Sequence, residues 1–482
     1  MFTARSSDPS AAPAGAPAAP PPADSPLLTG KEQAWWLCFV ALHAPLGLWM
    51  HAESITVWVH GVLCLAIGGW WALNPSRPDR VACVAAYVAG AEVFWRMVTD
   101  ALPWETAKFG LVLIYAAALL SRFGLTSLVA PVLCFSLLLP SVAVTASEAD
   151  PALLRGMLSF NLSGPFSLAM SAAFFWRLTL APHQVVRVFM SLLAPIVAIG
   201  AIVLYNIVTA DRLEFSFESN PQTSGGFGPN QVSLALGLGA LACFWCQLER
   251  SVRWQARMVL FILMLWLGAH CALTFSRGGM LGAAASAAVA IGLLTLDRDA
   301  RRKAVLVVPL VVGLAMFVIW PALVEFTGGN LAVRYSETGL SHRDQLGWQD
   351  IDIWMRNPVL GVGPGMSQRY HSGGVVAHTE FTRMLAEHGF FGALAMALLV
   401  VIGVVNAVRA PSPREKALVA AALTWSVLYM LNSAMRTVAP SFMFGLSCCV
   451  LAAHARRPAD LVAPARVAAP RRVLVGPRES PA

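Results

Sequence analysis

The chain has 482 residues, of which 57% are hydrophobic and 12% charged, with a formal net charge of +8. Soluble domains carry about 25% charged residues, so this composition argues against a soluble multidomain protein, and no basic, aromatic-interleaved segment points to nucleic acid. Apolar runs of spanning length recur along the chain and are apolar all round. They therefore predict an all-α polytopic membrane protein, with the lipid bilayer as its partner, and not a barrel of alternating strands.

In chain order, residues 1–30 are rich in Ala and Pro and read as a disordered cytoplasmic tail. Residues 31–324 hold most of the apolar runs, interrupted by a polar segment near 209–230. Residues 325–388 contain no run long enough to span. Residues 389–455 return to the membrane, and 456–482 form a second tail. Spans are expected near 33–51, 56–73, 81–99, 107–121, 124–145, 166–180, 184–207, 231–247, 257–276, 278–296, 304–323, 390–408, 417–433 and 440–454, giving 12–14 transmembrane helices. With the N-terminus inside, the alternate loops "NPSRPDR", "SRFG", "RLTLAPHQVVR", "ERSVRWQAR", "DRDARRK" and "RAPSPREK" all fall in the cytoplasm and all are basic. The positive-inside rule then predicts both termini cytoplasmic, and segments 209–230 and 325–388 periplasmic.

Within the large loop, "RDQLGWQDIDIWMRNPVLGVGPG" places Leu346, Ile353 and Trp354 on one helical face. The helix should end near Asn357, because Pro358 disfavours α geometry in the residue before it. Gly361, Gly363 and Gly365 then predict a turn-rich loop, and Thr379–Glu387 a second short helix. Asp350 and Asp352 lie two apart, point in different directions and make a poor chelate; they are expected on solvated helix faces, and the site is expected to hold no metal. The nine cysteines all lie in predicted spans, as small buried residues. Glu92 and Arg96, the clearest charges inside a span, stand four apart and are expected to pair.

Nine arginines fall on the outer face under this topology: 155, 212, 277, 334, 343, 356, 369, 383 and 436. Arg277 sits between two spans with almost no loop, and Arg212 follows a span closely. A guanidinium keeps its charge and matches phosphate oxygens with a planar fork, so Arg212 and Arg277 are candidate ligands for a diphosphate at headgroup depth. His378 lies in the same outer loop, with Glu380, Glu387, His371 and His388 nearby, and is a candidate general base. Glu380 or Glu387 would orient its imidazole.

Three stretches resemble the O-antigen ligase and polymerase superfamily of bacterial inner-membrane proteins. They are "TFSRGGM" (274–280), "HRDQLGWQDIDIWMRNPVLGVGPGM" (342–366) and "AHTEFTRMLAEHGFFG" (377–392). Arg212 followed by "GPNQVS", which contains Asn230, resembles a fourth. Thr379 departs from the usual asparagine of the third. The resemblance implies a GT-C-like fold and an inverting, metal-independent glycosyltransferase without a cofactor. Its donor would be an undecaprenyl-diphosphate-linked glycan and its acceptor a lipid A–core sugar; polymerases use a second lipid-linked repeat, and protein O-glycosylation is a third outcome. The essential histidine maps to His378 and the essential arginines to Arg277 and Arg212, with Arg343 a further candidate. A lipid-linked-sugar transporter is the competing class.

Overall fold

The computed structural model describes residues 28–99, 101–122, 129–176, 178–249, 251–337, 339 and 343–451. The two tails read from the sequence therefore lie almost wholly outside the described residues. The rest is a helical membrane bundle. Its elements are α1 (Gly30–Ala52), α2 (Thr56–Ala72), α3 (Pro78–Val98), α4 (Thr106–Arg122), α5 (Val129–Ser136), α6 (Val142–Glu148), α7 (Pro151–Phe175), α8 (Pro182–Thr209) and α9 (Pro229–Leu248). There follow α10 (Trp254–Leu273), α11 (Arg277–Leu294), α12 (Arg298–Leu314), α13 (Trp320–Phe326), α14 (Asn330–Ser336), α15 (Arg343–Arg356), α16 (Glu380–Arg409), α17 (Pro413–Ser433) and α18 (Ala439–Leu446). The only strands among the described residues, β1 (Thr179–Leu180) and β2 (Val450–Leu451), pair in parallel.

Seven described helices are long and apolar enough to cross a membrane, fewer than the fourteen spans expected. Two expected spans are cut short. The 124–145 run yields α5 and α6 on either side of Pro140, which disfavours helix at Leu139. The 440–454 run stops as a helix at Leu446 and turns into β2. Conversely α7 begins fifteen residues before its expected start, because Asp150 caps it by accepting from the Ala152 amide and Pro151 occupies the first turn.

The bundle is built around α8, the most buried of the described spans, which packs against α1, α3 and α9. Polar contacts gather at two ends. At one, Gln33 bonds the Ser251 carbonyl, Arg187 pairs with Glu32, and Arg414 pairs with Asp297. At the other lie the ends of α3, α10 and α17, the starts of α9 and α11, and the 325–388 segment.

The start of α11 is wedged between two neighbours by paired glycines. A Cβ on Gly279 would stand 2.1 Å from the Ser233 carbonyl oxygen of α9, and one on Gly278 2.0 Å from the Asn432 side-chain nitrogen of α17. Backbones approach this closely only where the side chain is absent. Gly279→Ala is therefore expected to destabilise the bundle by about 1–3 kcal/mol through overpacking, read as a lowered melting temperature in detergent. Gly268→Ala on α10, where a Cβ meets open space, is the control and should leave the melting temperature unchanged or raised.

Candidate active site

The glycine wedge fixes where α11 begins, and its first residue is Arg277. The turn before it is strained: Phe275 has φ 58°, in the left-handed region that bulky residues avoid. Ser276 then donates to the Asn230 side chain at 2.8 Å, and its carbonyl accepts from Ser233 Oγ at 2.7 Å. Asn230 thereby ties the end of the 209–230 segment to the residue beside Arg277. The Arg277 guanidinium donates to the carbonyls of Glu337 and Gly339. Arg334 donates to the Phe275 carbonyl at 3.1 Å and pairs with Glu337 at 3.0 Å.

Arg343, at the start of α15, donates to the side-chain oxygen of Asn432, the residue that also abuts Gly278. Two residues on, Ala434 has φ 48°, a second left-handed non-glycine, and its amide donates to the His378 carbonyl at 2.8 Å. Arg436 follows, reaching the Ala377 carbonyl at 3.4 Å. The turn after α17 is thus docked on the backbone of 377–378, with Arg436 beside His378.

The electrostatics agree with this convergence. Burial lowers the Arg343 guanidinium, and Arg277, Arg334 and Arg436 push it the same way. Burial also lowers Arg436. His378 is lowered to about 4, first by burial and then by Arg436 and Arg343. It is therefore neutral at pH 7. Among the described residues only Arg334 of these four arginines has a carboxylate partner. Several buried polar atoms here lack a partner: Arg436 Nε, Asn432 Nδ2, Thr379 Oγ1 and Tyr335 Oη. Buried polar atoms are nearly always bonded, so these atoms, beside arginines without a carboxylate partner, are chemically suited to an anionic, hydrogen-bonding ligand.

Arg436 is the residue that sequence reasoning left among the outer arginines without singling it out. Arg212 differs from the cluster: it is exposed on the segment after α8, and it is not among the charges acting on Arg343 or His378.

The 325–388 segment holds both expected helices, α15 ending at Arg356 as Pro358 requires, and the first part of α16 running to a kink at Gly389 (φ 58°). Gly361, Gly363 and Gly365 all have positive φ. Their loop caps the end of that short helix: the Val362 and Gly363 amides donate to the Ala386 and Glu387 carbonyls at 2.9 and 3.0 Å. A Cβ on Gly361 would stand 2.5 Å from the Ala386 oxygen, so close approach as well as φ demands glycine.

Three expectations are corrected here. Asp350 is not on a solvated face; it is fully buried, accepting from His371 Nε2 at 2.8 Å and Thr382 at 2.6 Å. Asp352 is exposed and pairs with Arg356. His371 does not support His378; both its nitrogens face acceptors, Asp350 and the Val375 carbonyl at 2.7 Å. Neither Glu380 nor Glu387 orients the His378 imidazole. Both pair with Arg383, at 2.5 and 3.1 Å, and Glu380 also accepts the Met435 amide while Glu387 accepts from Ser367. Glu380 thereby holds the α16 start against the turn that carries Arg436. Among the described residues no group of three or more His, Cys, Asp or Glu side chains could hold a metal ion.

A family model described as O-Antigen ligase matches residues 261–397. That stretch contains Arg277, Arg343, His371 and His378, and in it the chain carries the pattern of that family. No curated protein matches the chain.

His371 gives the large segment a pH-dependent anchor. Burial alone would lower it, but the hydrogen bond and charge of Asp350 hold it above its ordinary value. Because the folded value is raised, its contribution is complete below about pH 6.5, the unfolded value, and is lost as pH rises through the folded one. His371→Gln should therefore melt lower than wild type by a margin that is larger at pH 6 than at pH 9. A constant margin would show that the imidazole is not charged in the fold.

Proposed function

We propose that this multi-pass membrane protein transfers a glycan from undecaprenyl diphosphate to a sugar hydroxyl on lipid A–core, at the periplasmic face of the inner membrane. The match to the O-antigen ligase family supports transfer of ligase or polymerase type. The observation that carries the reading is the meeting of Arg277, Arg343 and Arg436, from three distant parts of the chain, beside a neutral imidazole. Transfer to a second lipid-linked repeat or to a protein would use the same chemistry, with a different acceptor.

His378 takes the proton of the acceptor hydroxyl. The acceptor oxygen forms a bond to the anomeric carbon from the face opposite the diphosphate, so configuration inverts. The anomeric C–O bond breaks, and its electron pair leaves on the diphosphate oxygen. Guanidiniums already in place stabilise that developing charge without reorganising, and this works best where water is scarce. They supply charge that a divalent cation supplies elsewhere, so the reaction is proposed to need no metal or other cofactor. Lipid tail, diphosphate and glycan stay on one side of the bilayer throughout, which separates this reading from a transporter.

The decisive assay combines purified protein, an undecaprenyl-diphosphate glycan and each candidate acceptor, with and without chelator. A covalent glycan–acceptor product that forms equally in chelator is expected; donor movement without a product would establish the transporter. Arg277→Lys keeps the charge but not the fork, and should lower transfer about a hundredfold with normal membrane insertion. His378→Ala should lower it by roughly 10²–10⁴ while donor binding persists. The base must be deprotonated to act, and His378 is lowered to about 4. The acid limb of kcat/KM, which reports the free enzyme, should therefore lie well below pH 6. A limb at an ordinary imidazole value would show that burial and the neighbouring arginines do not depress this base.

A further inference from the structure

Three arginine-bearing elements meet at one neutral side chain. Asn432 is the penultimate residue of α17. Its Oδ1 accepts from the Arg343 guanidinium at the start of α15. Its amide nitrogen fills the space that a Cβ on Gly278 would need, beside Arg277 at the start of α11. The chain then turns at Ala434 and reaches Arg436. One carboxamide therefore holds the fork of Arg343, abuts the residue next to Arg277 and leads into the turn that carries Arg436.

The use of an amide is particular to this place. Arg96 and Arg383 are also buried, and each takes carboxylates: Glu92 for the first, Glu380 and Glu387 for the second. Among the described residues Arg343 has no carboxylate partner, and the charges that act on it, Arg277, Arg334 and Arg436, are all of its own sign. An aspartate has the shape of asparagine and binds a guanidinium more strongly, as a charge-assisted partner. It would also cancel the charge it holds. Asparagine supplies an acceptor without a counter-charge, so the position of Arg343 is fixed while its charge stays available.

We propose that Asn432 is a positioning residue that seats the Arg343 guanidinium beside Arg277 and Arg436 without neutralising it, so that three positive charges face one diphosphate. A cation that is fixed but not cancelled suits charge that grows during reaction, since donors already in place stabilise it without reorganising. The inference rests on the glycan-transfer reading in taking the anion to be the diphosphate of the donor. Asn432 lies outside the family-matched residues, so that match assigns it no role.

The test compares Asn432→Asp with Asn432→Ser in the full-length protein in detergent, with inorganic pyrophosphate as the probe and chelator present. A residue that only packs would rank aspartate above serine, because aspartate keeps the shape and gains an ion pair. A residue whose task is to leave Arg343 uncancelled ranks aspartate last. Asn432→Asp should therefore keep the wild-type melting temperature yet weaken pyrophosphate binding about 10–100-fold, as loss of a charge-assisted contact implies. Asn432→Ser loses the seat but not the charge, and should melt lower and weaken binding less. The acid limb of kcat/KM for transfer should rise in Asn432→Asp, because Arg343 then opposes protonation of His378 less. The proposal is overturned by wild-type pyrophosphate affinity in Asn432→Asp, by a larger loss in Asn432→Ser than in Asn432→Asp, or by an unmoved acid limb. Failure of Asn432→Asp to fold, or of the wild type to bind pyrophosphate, overturns it as well. Binding of the probe needs no transfer. Loss of pyrophosphate in Asn432→Asp, in a protein that forms no glycan product, rejects the transfer reading alone. A glycan product, with Asn432→Asp binding pyrophosphate as the wild type does, rejects this inference alone.

Discussion

The candidate site depends on one ion pair inside the membrane. Arg96, on α3, pairs with Glu92 at 2.5 Å, and both are buried. The remaining donors of Arg96 reach Gln231 at 3.1 Å, the Trp104 carbonyl at 2.7 Å and the Arg436 carbonyl at 3.0 Å, and its guanidinium lies 3.8 Å from the Trp104 ring. The other oxygen of Glu92 accepts the Val438 amide at 2.5 Å. Two charges taken out of water are tolerated only when nearly every donor and acceptor is met, and here they are. The consequence is spatial. One pair fixes α3, the segment after it, the start of α9 and the backbone from Arg436 to Val438. The turn that faces His378 is thus held from below by a charge pair and from the side by Glu380.

The two left-handed non-glycine residues stand at the joints of this assembly. Phe275 redirects the chain between α10 and Arg277, and Ala434 redirects it between α17 and Arg436. Such conformations cost about 1–3 kcal/mol each and persist where surroundings over-determine them. Phe275 is fully buried, stacks on Phe215 and gives its carbonyl to Arg334; Ala434 spends its amide on His378. Both strained turns and four of the buried polar atoms without partners, Arg436 Nε, Asn432 Nδ2, Thr379 Oγ1 and Tyr335 Oη, therefore lie around the candidate site.

Much of this was readable in the sequence, and the failures have identifiable causes. Apolar runs located the helices because lipid demands them, and Pro358 and the glycine series located the loop because φ alone dictates those positions. The i, i+4 spacing of Glu92 and Arg96 announced their pairing. It could not announce Arg436 as a partner 340 residues away, since that contact exists only once α3 and the α17–α18 turn are adjacent. Glu380 and Glu387 were misjudged by nearness to His378 along the chain, although their spacing to Arg383, three and four residues, was the better signal. Asp350 was expected on a solvated helix face, and its true partner, His371, is supplied by a loop that folds back 21 residues later. Pro140 lay inside an expected span and was given too little weight against hydropathy.

The arginine cluster and the imidazole are one electrostatic unit. Burial, Arg277 and Arg436 all lower Arg343, and burial, then Arg436 and Arg343, make protonation of His378 unfavourable. In the proposed reaction, a diphosphate seated on these guanidiniums would offset their positive charge and, by Coulombic coupling, raise the basicity of the imidazole. On that reading His378 would be a stronger base with the donor bound than without it, and proton removal from an acceptor would be favoured when there is a glycan to receive it. Negative charge growing on the leaving diphosphate and positive charge on the imidazole would then stabilise each other. A site that used carboxylates to balance its arginines would lose this coupling, and that is a physical reason for Glu380 and Glu387 to be spent on Arg383, leaving His378 to the cations alone.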